Sequence, residues 1–232
     1  MYIGGVISKH RKQFNLTVPS FSGCIRNFEV NDIQQNLFEK SRHVVPCVNS
    51  NSAYVHEGGY MTFGSLKTIR HFGNIQISVQ FRPAVKDGFI FGLMTNKDPE
   101  NARIAVYLKN SLVTFELIYN NERRELKHIF KKDLCDGSWH NVTLSISHSN
   151  MIVITVDGHR KRLQTKISSE LVEFFRNLPI YVGGVTASST SKIGVLSLIG
   201  CYRDLQFYGK VMAFKDAKKL NKVLPDGCPF LN

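Results

Sequence analysis

No stretch of this chain reaches the roughly 18–20 consecutive apolar residues that a membrane-spanning helix needs. No helical span, and no membrane insertion, is therefore expected. Acidic side chains are scarce: 18 Asp and Glu stand against 30 Lys and Arg, a formal net charge of +12. The five cysteines include no CxxC pair and the histidines form no cluster, which argues against a zinc site. GxGxxG, Walker-type and HExxH patterns are missing too. No serine or cysteine sits in a nucleophile elbow or triad motif, so catalysis has little to stand on. No basic leader followed by a long apolar core precedes Tyr2, and no signal peptide is read.

The charge imbalance is not a tail effect. Residues 1–47 hold 6 basic and 3 acidic side chains, which leaves +9 on the remainder. A balance of this kind suits a polyanionic partner: nucleic acid, an acidic membrane surface or a sulfated polysaccharide. Excess lysine also serves solubility alone. Hydrophobic content of 43% and aromatic content of 11% are ample for a buried core and argue against disorder.

What organises the chain is a repeat. Tyr2–Val6 reads YIGGV and Gly23–Val30 reads GCIRNFEV; Tyr181–Val185 reads YVGGV and Gly200–Phe207 reads GCYRDLQF. Cys47 follows the first copy and Cys228 the second. The offsets of the Tyr, first Cys and last Cys pairs are 179, 177 and 181 residues. A shared period is the mark of repeated architecture. The second copy has a long chain ahead of it and the first almost none. Residues 1–48 are thus expected to be the end of one domain, and 49–232 a complete one. The polar Val48–Ala53 stretch is expected to link them.

Cysteines 23 residues apart in the first copy and 27 in the second favour disulfides and an oxidising compartment. Cys135 is left over and is expected to be a buried, inert thiol. Two sequons, Asn15-Leu-Thr and Asn141-Val-Thr, suit a secreted glycoprotein. Asn15, in a polar loop, is the better acceptor.

Beyond residue 54 the pattern is β almost throughout. Ile75, Ile77, Val79 and Phe81 alternate with Gln76, Ser78 and Gln80. Further strands are expected over Phe89–Met94, Arg103–Leu108, Leu112–Tyr119, Arg123–Phe130, Trp139–Ser147 and Met151–Val156. Asp87-Gly88, Asn110-Ser111, Asn120-Asn121 and Asp157-Gly158 mark the turns between them. Short strands at this spacing suggest an all-β sandwich. One helix is expected over Ser168–Arg176, with Ser169 placed to cap and Leu171, Val172 and Phe175 on one face. Residues 1–47 read as two or three strands, with Lys9–Lys12 a basic loop between the first two.

Taken in order, GGYMTF, ISVQFRP, DGFIFGL, VYLKN, LCDGSWHNV, VDG, YVGGV and GCYRDLQF resemble a laminin G-like domain. The resemblance covers 50–232, and its closing portion again 1–47. The LCDGSWHNV form and the chain end look most like the last two G domains of a laminin α chain. The resemblance implies a concanavalin-type jelly-roll sandwich of two antiparallel sheets with about fourteen strands. It implies disulfides Cys24–Cys47 and Cys201–Cys228. It implies a secreted, basement-membrane location and an adhesive binding role, with heparan sulfate or heparin, a cell-surface receptor and neighbouring G domains in cis as partners. Many such domains hold calcium through an Asp just before the strand that begins here near Ile104. That position holds Arg103, and a guanidinium does not ligate a cation. No calcium, and no other cofactor, is expected.

Three basic clusters are the candidate polyanion sites: Arg123, Arg124, Lys127, Lys131 and Lys132; Arg160, Lys161, Arg162 and Lys166; and Lys215, Lys218, Lys219 and Lys222. Lysine and arginine supply the point charges and forked donors that sulfates take. In a strand Arg160 and Arg162 share one face and Lys161 takes the other. His140 is expected to be a hydrogen-bonded structural residue. Two other readings stand beside this one. A carrier of a small hydrophobic ligand such as a steroid needs an open pocket between the sheets, where Ile75, Ile77, Val79, Phe81, Leu144 and Ile146 are expected to fill the space. Nucleic-acid binding rests on charge alone and finds no recognition motif.

Overall fold

The computed structural model describes residues 8–17, 29–31, 33–34, 52–68, 74–95, 98–128, 133–147, 150–225 and 227–228. The chain divides into two compact units, Met1–Cys47 and Val48–Asn232. In the first unit, helix α1 spans Ser8–Gln13 and a two-residue pair joins β1 (Glu29–Val30) to β2 (Ile33–Gln34). The basic Lys9–Lys12 segment is thus helical and not the loop its composition suggested.

Among its described residues the second unit carries thirteen strands. They are β3 (Ser52–Phe63), β4 (Asn74–Pro83), β5 (Gly88–Met94), β6 (Ala102–Lys109), β7 (Leu112–Tyr119), β8 (Glu122–His128) and β9 (His140–Ser147). After them come β10 (Met151–Val156), β11 (His159–Gln164), β12 (Ile180–Val182), β13 (Gly200–Phe207), β14 (Lys210–Val211) and β15 (Lys219–Leu224). Helices α2 (Ser169–Arg176) and α3 (Ala187–Ile193) interrupt the series. Ser52 and Ala53 belong to β3, so the expected linker is shorter at its end.

The hairpins form where the turn chemistry asks for them. Asn110 and Ser111, Asn120 and Asn121, and Asp157 and Gly158 all have positive φ. Two-residue turns with positive φ at both positions match the right-handed twist of the paired strands, and Asn, Asp and Gly tolerate that conformation best.

Among the described residues the named strands pair antiparallel, in the order β11-β10-β9-β4-β13-β3-β12-β5-β6-β7-β8. This path is two layers joined through β3. The start of β3 pairs with β13 through Ser52–Val55, and its end pairs with β12 through Met61–Phe63. Strand β15 follows β3 across both layers, with a register shift between Asn221 and Val223 and a positive φ at Lys222. One edge of the sandwich is therefore continuous. At the other edge the terminal strands of the two layers, β8 and β11, meet.

The inward faces of both layers make one core. Ile75, Ile77, Val79, Phe81, Leu144 and Ile146 lie in it, each 1% exposed or less. They fill the space that a ligand carried between the sheets would need. Helix α2 starts one residue later than its serine-rich entry suggested. Ser168, not Ser169, caps it by accepting from the Leu171 amide, and Leu171, Val172 and Phe175 are buried as expected. The Ser/Thr-rich segment after Val185 folds as α3, capped by Thr186 and ended by Gly194 in the left-handed conformation. A second apolar cluster on the outer side of its layer joins Tyr60, Phe89, Met94, Ala105, Tyr107, Tyr181 and Val185, with Ile193 of α3 packed against it.

Cys201 and Cys228 are disulfide-bonded with Cα atoms 5.4 Å apart. Cys24 and Cys47 lie outside the described residues. Cys135 is free but half-buried, less enclosed than expected, and burial pushes its thiol up.

Candidate functional site

The β8–β11 edge brings together two clusters that lie 34 residues apart in sequence. Lys161 donates from Nζ to the Lys127 carbonyl at 3.0 Å, tying β11 to β8. The register then sorts the side chains by face. Lys161 and Leu163 sit opposite Ile154 and Ile152, whose side chains are in the core. Arg160 and Arg162 sit opposite Thr155 and Val153 and face outward, and both are exposed.

The same row continues inward across the layer. Thr155 faces Thr143 and then Ser78; Val153 faces Ser145 and then Gln76. Asn141, Ser147, Asn74 and Gln80 complete this outer surface of β4, β9, β10 and β11; none of the four strands contributes a carboxylate, and Asp157 of the β10–β11 turn borders the surface beside Asn141. Arg160, Arg162 and the exposed Lys166 have no acidic partner among the described residues. Two arginines at i and i+2 of a strand lie about 7 Å apart, both free to turn toward one ligand.

The first cluster behaves otherwise. Arg123 pairs with Glu116 at 2.7 Å and Glu125 at 3.6 Å, Arg124 with Glu122 at 2.8 Å, and Lys127 with Glu125 at 3.2 Å. Arg123 and Lys127 also project from the outer side of the opposite layer, since they face Ile118 and Thr114. The edge thus gathers both clusters, yet it points them to opposite sides and neutralises one of them internally. Lys131 and Lys132 lie outside the described residues.

Arg103 is 8% exposed. Its Nε donates to Glu116 at 2.7 Å, and its Nη1 donates to the carbonyls of Pro99 at 2.8 Å and Glu100 at 3.3 Å. Carbonyl and carboxylate oxygens of the sort that hold a hard cation are here turned onto a guanidinium. Glu116, with a side chain 5% exposed, is held between Arg103 and Arg123. Among the described residues no group of three or more His, Cys, Asp and Glu is arranged to hold a metal ion.

His140 is buried with both ring nitrogens engaged: Nδ1 with Asp157 at 2.7 Å and Nε2 with Asp136 at 3.1 Å. It pins the Asp136-Gly137 turn to the Asp157-Gly158 turn. Asp157 also accepts from the Asn141 amide. The Ser138 amide, and after it the Ser138 and His140 side chains, hold the Asp136 carboxyl below its usual range. Next to His140 the single tryptophan, Trp139, is flanked by the Arg203 guanidinium at 4.2 Å and that of Arg82 at 5.4 Å.

The sequons sit differently. Asn15 is exposed just after α1 with φ of 47°; Asn141 is exposed in β9, on the same outer surface as Ser78 and Thr143. The third basic cluster lies along the continuous edge. Lys215, Lys218, Lys219 and Lys222 are all exposed. There sequence reading missed a 330 Å³ pocket, lined in part by Tyr60, Tyr181, Lys218 and Lys219. The one available signal was Tyr181 itself, the first residue of the second YVGGV.

Comparison with known proteins agrees with this architecture. The family described as "Laminin G domain" matches residues 81–210, more than half of the chain. Mouse laminin subunit alpha-4 is 26% identical over 99% of this chain, and human laminin subunit alpha-1 is 27% identical over 98%. The chain spans only 13% and 8% of those two proteins. Among solved structures, domains LG4-5 of the mouse laminin alpha1 chain superpose with a TM-score of 0.64 at 24% identity, covering 82% of this chain and 48% of that one. The LG1-3 region of the laminin alpha2 chain gives 0.61 at 18% identity, covering 97% and 43%. A jelly roll closed through β3 and β15, with this match across its middle, belongs to the laminin G domain family.

Proposed function

We propose that this chain is a non-enzymatic binding module of the extracellular matrix, and that its β11 face takes sulfated glycosaminoglycan of the heparan sulfate or heparin class. The observation that carries the reading is the pair Arg160 and Arg162, uncompensated on an outer surface to which β4, β9, β10 and β11 contribute no carboxylate. A sulfated chain offers closely spaced anions with hydroxyls between them. Arginines at the edge suit the sulfates, and Ser78, Thr143, Ser145 and Thr155 suit the hydroxyls. Lys166 extends the basic edge, and Lys161 anchors β11 to β8.

The laminin α relatives support a secreted, basement-membrane setting with cell-surface receptors and neighbouring G domains as further partners. They also support reading residues 1–48 as the end of a preceding G domain and 49–232 as a whole one. N-glycans at Asn15 and Asn141 and a Cys24–Cys47 bridge belong to the same proposal.

The test is retention on heparin-agarose against a sulfonate cation exchanger at matched salt. Elution at distinctly higher salt from heparin supports the reading; equal elution from both reduces it to general charge. Arg160→Ala with Arg162→Ala should lower heparin retention and leave the melting temperature unchanged.

A further inference from the structure

The pocket on the continuous edge has chemistry of its own. Tyr60 and Thr62 come from β3, Tyr181 from β12 and Lys219 from β15; Tyr181, Thr62 and Lys219 stand in one cross-strand row. Gly64, Ser65, Asn177, Pro179, Thr186 and Lys218 close the rim. Two lysines line this space, and among the described residues no carboxylate does. Lys219 Nζ lies 5.5 Å from the centre of the Tyr60 ring, and the Tyr60 and Tyr181 rings are 6.2 Å apart. A hydrogen bond to Tyr60 raises the Lys219 ammonium's affinity for its proton, so the charge is secure at neutral pH.

Lys218 is seated by the backbone. Its amide donates to the Thr62 carbonyl at 2.7 Å. A Cβ at Gly64 would stand 3.3 Å from Lys218 Cε, so glycine at that position leaves the lysine its room. The floor is rigid, since Tyr60 is 6% and Tyr181 2% exposed within the second apolar cluster.

Size and lining select the ligand. A volume of 330 Å³ is far more than a bare sulfate or phosphate fills, and suits a sugar ring with its substituents. Tyr60, Thr62, Ser65 and Tyr181 bring hydroxyls, the polar complement of a polyhydroxylated ring, while Thr186 at the rim is spent on capping α3 and the Asn177 amide on the Glu173 carbonyl. The two lysines add a demand for negative charge.

We propose that this pocket binds a single carboxylate-bearing sugar residue, with Lys218 and Lys219 receiving the carboxylate and the hydroxyl-rich wall receiving the ring. The site is separate from the β11 face, since β3 and β12 stand in the middle of the strand order and β11 at one end of it, and it stands or falls independently of it.

The experiment is a titration of the ¹⁵N-labelled 232-residue chain, followed through its backbone amides. The probes are sodium glucuronate and N-acetylneuraminate, which distinguish a uronic acid from a sialic acid as the source. Glucose supplies the ring without the charge, and sodium sulfate at equal ionic strength the charge without the ring. Saturating shifts at Gly64, Ser65, Tyr181 and Thr186 are expected with at least one acidic sugar, and with neither control in the same range. Lys219→Gln, exposed enough to leave the fold intact, should weaken that binding about ten-fold or more. Arg160→Gln with Arg162→Gln should leave it unchanged. No saturating shift with either acidic sugar, equal shifts with sulfate or glucose, or unaltered binding in Lys219→Gln overturns the proposal.

Discussion

The salt dependence of heparin binding separates cations that touch the polyanion from cations that only add charge. Arg160 and Arg162 are exposed and have no acidic partner, so a bound sulfated chain would release the counterions around them. For a single-stranded polyanion each such contact contributes about 0.7 to the slope of log K against log salt. Replacing both residues with glutamine should therefore lower the slope by roughly 1.4. Between 50 and 200 mM salt, the wild-type chain should lose about seven-fold more affinity than the variant does. Arg124→Gln with Lys127→Gln removes the same formal charge and serves as the control. Those cations already have Glu122 and Glu125 as partners at 2.8 and 3.2 Å, so few counterions remain to be released. Their slope should move less than half as far. Titration calorimetry or fluorescence anisotropy with a defined heparin oligosaccharide at four salt concentrations reads the difference. A slope reduced equally by both pairs, or unchanged in the Arg160/Arg162 variant, would refute the reasoning.

Other consequences follow from buried groups. Glu116→Ala leaves the Arg103 guanidinium enclosed with only the Pro99 and Glu100 carbonyls, and urea unfolding should show a loss of about 3–5 kcal/mol. Opening the Cys201–Cys228 bridge by replacing both residues with serine should cost about 3.5 kcal/mol in the chain-entropy account, read as a lower thermal midpoint. The Asp136 carboxyl has a folded pKa below its unfolded value. Its contribution is therefore complete above about pH 4 and is lost as pH falls through the folded pKa. Asp136→Asn should flatten the decline of stability in that acid window and leave the neutral-to-basic limb parallel to wild type.

Much of the fold was legible in the chain because it rests on short-range rules. Alternation from Ile75 to Phe81 decides which side chains enter the core, and Asn120-Asn121 or Asp157-Gly158 decides where a hairpin turns. Alternation also placed Arg160 and Arg162 on one face before any register was known. Where local composition was ambiguous the reading failed. The segment Thr186–Lys192 is rich in serine and threonine, a composition that favours loop over helix. Thr186 capping, a left-handed Gly194 and packing of Ile193 on the second apolar cluster make it helical. The Lys9–Lys12 segment failed in the same way.

The candidate sites divide along the same line. The basic clusters are runs in the sequence and needed no structure to be found. Their state of charge compensation depended on pairing across strands: Glu116 reaches Arg103 over one hairpin and Arg123 over the next. The meeting of Lys161 with Lys127 needed both layers to close on one another, and the Tyr60–Tyr181 pocket needed β3 and β12 to pair, which sets Tyr181 opposite Thr62, 119 positions earlier in the chain. The sequence by itself determined strands, turns, repeat and overall charge, because each is set by neighbours along the chain. Only the tertiary structure decided which cations remain free and where a ligand-sized space opens, because both depend on the register and closure of strands far apart in sequence.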